Sequence, residues 1–279
     1  NDIYNIEKVE ESETRIFSYG LFSSVEIFST YYSDFSAQVD VIIKVREFDL
    51  KNLEAEFGFG QVPSSKGAGA PPLTAIQLYG KWQIGNIFNT SNRLGIQGNI
   101  SLILEEKLSL PQKHISVSWY SPWSFGLKLP INFSYYYRKF ADEDIITRQG
   151  IKASLVYKYG EDYKFIGSLV LEDIKATVDN PDFNREQERT LQLVYQQHEI
   201  NNFIFPSTGY YFSTDVSLNG LILGGERHYL KFISEYKRYH SFLNTFVFAN
   251  RIMVGYIKVM KDELPSYSKF YLGGATSLR

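Results

Sequence analysis

Few residues in this 279-residue chain have the types and spacing that chemistry requires. The four histidines, His114, His198, His228 and His240, are scattered, and none stands four residues from another as the paired ligands of a zinc helix do. There is no cysteine, which excludes a disulfide scaffold, a thiolate metal site and a cysteine nucleophile. Carboxylates cluster at Asp142-Glu143-Asp144 and at Glu161-Asp162, and both clusters read as solvated turns ahead of cation sites. Gly58, Gly60 and the run Gly67-Ala68-Gly69 lack the strand–loop–helix context of a nucleotide-binding loop and read as a strand end and a flexible loop. No G-x-S-x-G elbow is present. No catalytic residue, metal or cofactor is assigned, and the chain is expected not to be an enzyme. One charged pair remains: Glu235 and Arg251 fall on the polar faces of two neighbouring segments, where they form an ion pair or line a wet interior. A net charge of −2 gives no reason to expect a nucleic-acid partner.

The elements that must position such residues follow from the pattern of aromatics. Trp, Tyr and Phe make up 16% of the chain, yet there is no run of about 18 apolar residues that would form a transmembrane helix. Many aromatics without long apolar runs imply period-2 alternation, the arithmetic of β-structure.

Residues 1–50 differ from the rest. Asn5 can cap a helix starting at Ile6, with Glu7, Glu10 and Glu11 in the first turns and Gly20 as terminator. Strands are expected at Ser24–Tyr31 and Ala37–Glu47, with Val39, Val41, Ile43 and Val45 on a buried face.

From about Leu53 onward, eleven alternating segments recur with turn residues between them. They begin with Leu53–Gly60, Thr74–Ile84, Leu94–Glu105, His114–Tyr120 and Leu127–Arg138, and end near Tyr256. Alternation alone fits either a soluble β-sandwich or a membrane barrel with its apolar face in lipid. Three features favour the barrel. Segments end on aromatics such as Trp82, Trp119, Tyr157, Tyr159 and Tyr210, which suit a membrane interface. Segments of about ten residues fit a tilted crossing of a bilayer. Connections are expected to alternate, long at 61–73, 106–113, 139–149 and 173–189, and mostly shorter at 85–93, 121–126, 160–162 and 240–243.

The last residues, Lys269-Phe270-Tyr271-Leu272-Gly273-Gly274-Ala275-Thr276-Ser277-Leu278-Arg279, resemble the F-x-x-G-G-x-x-S-[VIL]-R-G-[FY] loop motif of the outer-membrane protein assembly factors, the superfamily that includes BamA- and TamA-like proteins. Phe270, Gly273, Gly274, Ser277, Leu278 and Arg279 fall on the motif. Phe205-Pro206-Ser207-Thr208-Gly209 resembles the family's turn before the ninth strand. Ser121-Pro122-Trp123-Ser124-Phe125-Gly126 resembles its turn between strands four and five, and Trp82 with Asn86-Ile87-Phe88 resembles a third segment, with Asn89 in place of the usual Gly. Residues 11–25 resemble the end of a POTRA domain.

The resemblance implies a mainly β chain. Residues 1–50 would be the C-terminal part of an α+β, periplasmic POTRA domain. Residues 51–279 would be about eleven strands of a sixteen-stranded antiparallel transmembrane β-barrel, ending in its sixth extracellular loop. It also implies the bacterial outer membrane, unfolded outer-membrane proteins as clients, and accessory lipoproteins or an inner-membrane partner. Arg279 would fold into the lumen and pair with acidic groups on strands beyond this sequence. The first strand, carrying Leu53, Ala55, Phe57, Gly58, Phe59 and Gly60, would border the seam where the barrel closes weakly and could template a client's strands. Other readings stay open: a two-partner-type secretion pore of the same superfamily, a soluble β-rich binding or carbohydrate-active protein, and a barrel of this kind fused to a lipase that the sequence given does not contain.

Overall fold

The computed structural model describes residues 5–17, 21–31, 39–47, 49–62, 73–103, 109–124, 126–127, 129–141, 145–160, 162–176, 185–202, 204–242, 246–264 and 268–270. Helix α1 spans Ile6–Phe17. It opens where the sequence places a cap: the Glu7 amide donates to Asn5 Oδ1 at 2.8 Å, satisfying one of the orphan N–H groups of the first turn. Strands β1 (Phe22–Tyr31) and β2 (Val39–Glu47) pair antiparallel, with Val25 opposite Val45 and Ile27 opposite Ile43. The expectation of a buried β2 face is corrected. Val41, Ile43 and Val45 are exposed, and Val25 is the buried apolar residue of this unit. Helix α1 packs along β1 and leaves β2 outside its cover.

The remaining strands are β3 (Lys51–Val62), β4 (Leu73–Ile87), β5 (Asn92–Ile103), β6 (Ser109–Ser121), β7 (Ile131–Ala141), β8 (Ile145–Tyr159), β9 (Tyr163–Ala176), β10 (Arg185–Ile200), β11 (Gly209–Asn219), β12 (His228–Phe242) and β13 (Phe246–Lys261). They form a single antiparallel meander of 11 strands in sequence order, from β3 at one edge to β13 at the other. The sheet does not close, since β3 and β13 are not paired to each other.

One face of this sheet is apolar and uncovered. Leu78, Trp82, Ile96, Ile115, Val117, Phe133, Tyr135, Ile151, Leu169, Leu193, Phe248, Ile252 and Tyr256 are all exposed on it. The other face carries the buried polar residues Ser101, Ser116, Ser168, Glu186, Glu188 and Asn219. Water would penalise this inversion, since exposed patches of such extent are rare in soluble monomers. Lipid outside and a wet lumen inside remove the penalty. Aromatic rings line one end of the apolar face: Phe165 lies 5.0 Å from Tyr195 and 6.3 Å from Tyr157, and Tyr195 lies 6.0 Å from Phe212. No helix among the described residues is long and apolar enough to cross a membrane.

Several expected boundaries shift. The fifth segment does not begin at Leu127: Leu127 instead bridges Ser124 in the preceding turn, and β7 starts at Ile131, just after Pro130, which has no N–H to give a ladder. The glycines of β3 do not end it; the ladder to β4 runs through Gly58–Gln77 and Gly60–Ala75 to Val62. The expected alternation of long and short connections is not seen. Between strands lie 63–72, 104–108, 142–144, 177–184 and 220–227 at one end, and 88–91, 122–130, 160–162, 201–208 and 243–245 at the other. Residues expected in long loops instead continue the hairpins, as with Lys139 opposite Thr147 and Phe140 opposite Ile146.

Two turns that carry the family resemblance have evident physical causes. Asn201 Oδ1 accepts from the Ser207 and Thr208 amides at 3.0 Å each, and Asn202 Oδ1 from the Ile204 and Phe205 amides. Gly209 follows with φ +110°, and a Cβ there would lie 1.8 Å from the Glu199 carbonyl oxygen, so only glycine fits. At the β4–β5 turn Asn86, Phe88, Asn89 and Ser91 all have positive φ. Asn89 takes a left-handed position that asparagine tolerates better than most residues, which lets it stand where the family uses glycine.

Candidate functional site

Two features stand out, the free edge of β3 and the polar inner face under the end of the chain. Along β3, period-2 alternation puts Leu53, Ala55, Phe57 and Phe59 on the outer face, where Leu53, Phe57 and Phe59 are 75%, 78% and 75% exposed. The inner face carries Glu54, Glu56, Gly58 and Gly60. Glu54 accepts from Lys81 Nζ on β4 at 3.1 Å. A Cβ on Gly60 would lie 2.7 Å from the Gln77 amide nitrogen, so this glycine makes room for a polar side chain on the lumen side. Among the described residues no strand pairs with β3 on its other side, where a row of backbone donors and acceptors lies.

The inner face of β7–β12 is a connected polar surface. Tyr136 on β7 donates to Glu172 Oε1 on β9 at 2.6 Å, and Arg148 on β8 reaches the same carboxylate at 3.4 Å. Gln192 on β10 donates to Asp215 on β11 at 2.6 Å. Glu186 on β10 is paired with Arg227, which leads into β12, and both side chains are largely buried. Arg227 also donates to the Glu263 carbonyl at 2.8 Å, tying down the chain just after β13.

That chain returns over the inner face. Asn219 Nδ2 donates to Thr190 Oγ1 at 2.9 Å and to Tyr229 OH at 3.2 Å, and Tyr229 OH lies 3.1 Å from Ser268 Oγ. Lys231 Nζ donates to the Ser268 carbonyl at 3.3 Å and stands 4.8 Å from the centre of the Phe270 ring. Phe270 lies against Gly255 of β13, where a Cβ would come within 2.7 Å of Cζ. Gly255 therefore acts as a slot. Gly255→Val is expected to push Phe270 off the inner face and lower stability by about 1–3 kcal/mol, as overpacking does. Unfolding in urea, with limited proteolysis of the 262–270 segment, measures it; an unchanged cleavage pattern would refute the slot.

Of the residues singled out from sequence, Glu235 and Arg251 are brought together: Arg251 Nε donates to Glu235 Oε1, and Lys237 Nζ lies 3.4 Å from the same oxygen. Phe270 lies on the inner face, whereas Gly273, Gly274, Ser277, Leu278 and Arg279 lie outside the described residues. The clusters at 142–144 and at Glu161, and the run 67–69, also lie outside them. The four histidines are not brought together. His228 accepts from the Leu221 amide at 2.9 Å, and His240 accepts from Arg238 at 3.2 Å. Among the described residues no group of three His, Asp or Glu could hold a metal ion. Sequence reasoning missed Asn219, Tyr229, Lys231, Gly255 and Ser268. Their one sequence signal is parity, since the four strand residues occupy inward positions of β11, β12 and β13.

An antiparallel sheet with an apolar outside, a polar inside and an aromatic rim is a segment of a membrane-spanning β-barrel. Residues 86–279 match the family model described as the Omp85 superfamily domain, and the chain belongs to that superfamily, which implies the bacterial outer membrane. Among solved structures it resembles BamA from Haemophilus ducreyi lacking POTRA domains 1–3, with a TM-score of 0.72 and 17% identity. The match covers 97% of this chain and 53% of that one, so the chain spans about half the length of its structural relative. No curated protein matches.

Proposed function

We propose that the chain is the barrel segment of a BamA- or TamA-like factor that inserts or translocates proteins at the outer membrane. In this reading α1, β1 and β2 are the last part of a periplasmic POTRA domain. Unfolded outer-membrane proteins are the clients. The observation that carries the reading is the antiparallel sheet with an apolar outside and a polar inside, matched to the Omp85 superfamily domain, whose edge strand β3 presents outward Leu53, Phe57 and Phe59. An extended client segment can add there as a further strand, since backbone hydrogen bonds supply affinity without requiring a particular client sequence. Within lipid such an edge must find a partner, because unpaired backbone groups cost several kcal/mol each. Nothing in this role calls for a nucleotide or a prosthetic group.

The test is reconstitution of the intact protein in lipid vesicles. Urea-unfolded client barrels are expected to fold at least about tenfold faster than in protein-free vesicles, a barrier change of about 1.4 kcal/mol. Equal rates in the two vesicle preparations would overturn an assembly role, and solute flux through the barrel with equal rates would favour a secretion pore.

A further inference from the structure

The apolar outer face ends, opposite its aromatic rim, in a row of cations. Lys113 on β6 is directly opposite Lys139 on β7; Lys139 is opposite Thr147 on β8; Thr147 is opposite Lys175 on β9; and Lys175 is opposite Arg185 on β10. All five share the parity of the outward Ile115, Tyr135, Ile151, Leu171 and Leu193, so all five point away from the lumen. The row therefore sets four positive charges side by side across five neighbouring strands.

Two of its contacts set like charges face to face, Lys113 against Lys139 and Lys175 against Arg185, an arrangement that destabilises a sheet unless an anion offsets it. Asp173 does part of this for the second pair. It accepts from Arg185 Nε at 2.8 Å and from the same guanidinium at 3.2 Å, and lies 3.7 Å from Lys175 Nζ. One carboxylate thus serves two cations. Lys113 Nζ stands 4.9 Å from the centre of the Tyr137 ring. Among the described residues no ion pair reaches Lys113 or Lys139.

The height of the row indicates which anion it would meet. On β8 ten residues separate Thr147 from Tyr157 in the aromatic rim. At about 3.3 Å per residue and a strand tilt of about 40°, that is about 25 Å along the membrane normal, the height of the apolar band of an outer-membrane barrel. The row thus lies where hydrocarbon gives way to headgroups. Between the row and the apolar face comes one polar step, Gln149, Asp173 and Gln187; beyond it Ile151, Leu169 and Leu171 are able to receive acyl chains.

We propose that Lys113, Lys139, Lys175 and Arg185 form a binding site for the phosphate groups of an anionic lipid whose chains lie along Ile151, Leu169 and Leu171. The proposal rests on the membrane-barrel reading above. Arg185, held by Asp173, presents a fixed fork, while the lysines act as mobile point charges. Bound lipid would offset the repulsion and stiffen the sheet at this end.

The experiment uses the intact protein, folded into vesicles of phosphatidylcholine with or without phosphatidylglycerol, then extracted in mild detergent for native mass spectrometry of retained lipid. Wild type is expected to retain phosphatidylglycerol over phosphatidylcholine. The double variants Lys113→Gln/Lys139→Gln and Lys175→Gln/Arg185→Gln should each reduce that preference about twenty-five-fold, given roughly a fivefold contribution per cation near an anionic surface. Excess inorganic phosphate should displace little, which separates a lipid from a free phosphate. Equal retention of the two lipids, or an unaltered preference in both double variants, would overturn the site and leave Asp142, Glu143 and Asp144, next along the sequence, as the countercharge. A folded, protease-resistant barrel without lipid preference defeats the site alone, whereas a chain that folds in neither vesicle defeats the membrane reading and the site together.

Discussion

Proline scanned through residues 52–59 of β3 in the intact protein is expected to divide the positions into two classes. In an antiparallel pair, neighbouring residues alternate between aiming both backbone groups at the partner strand and aiming both away from it. Asn52, Glu54, Glu56 and Gly58 therefore behave as one set, and Leu53, Ala55, Phe57 and Phe59 as the other, since β3 and β4 stay in register without a bulge across this stretch. Proline in the set aimed at β4 removes a ladder bond and should destabilise the barrel itself by about 1–3 kcal/mol, the cost of leaving the facing acceptor unpaired. Proline in the set aimed away from β4 removes no bond of the β3–β4 ladder. There the protein should still fold and insert, yet accelerate client folding at least about tenfold less, a change of about 1.4 kcal/mol or more in the barrier. The pair of readouts is electrophoretic mobility of the folded barrel and the rate of client folding in vesicles. A scan in which every position behaves alike, or in which client folding never falls unless the barrel unfolds, would remove β3 from the mechanism.

The two faces and the strand count are legible in the amino-acid sequence because of one physical constraint. In lipid the outer face must be continuously apolar, so the side-chain period of two is written into each crossing, as in Ile151, Ala153, Leu155 and Tyr157 against Lys152, Ser154 and Lys158. Outside the hydrocarbon the constraint lapses. The strands run on as polar hairpins, with Lys139 opposite Thr147, and read as loops. Alternation likewise says nothing of which residue faces which. Glu235 and Arg251 could be suspected because inward positions on consecutive strands lie diagonally across a single ladder. The contact of Ser268 with Tyr229, and of Phe270 with Gly255, depends on the chain turning back over β12 and β13 after Lys261. No local pattern encodes that path. The motif flagged Phe270 as special without indicating the glycine slot that receives it.

The same return path makes Glu186 the position where a single substitution should cost most. Its carboxylate is paired with Arg227, and both side chains are shielded from solvent by neighbouring strands. Glu186→Ala leaves the guanidinium buried beside a cavity with its main countercharge gone, and breaking a buried pair from one side costs about 3–5 kcal/mol. Replacing both partners should cost less than the single change, because the double variant Glu186→Ala/Arg227→Met buries no uncompensated charge. The loss should also be directional. Arg227 links β10 to the backbone at Glu263, so weakening it should free residues 262–270 before the sheet opens, and limited proteolysis should cut there first. Equilibrium unfolding of the refolded barrel in detergent gives the magnitude, and the cleavage pattern gives the order. If Glu186→Ala were as stable as wild type, or if the double variant were the worse of the two, the pair would have no role in holding the returning chain. The strand residues around it would then have to do so, through the hydrogen bonds of Tyr229 and Lys231 to Ser268 and the slot at Gly255.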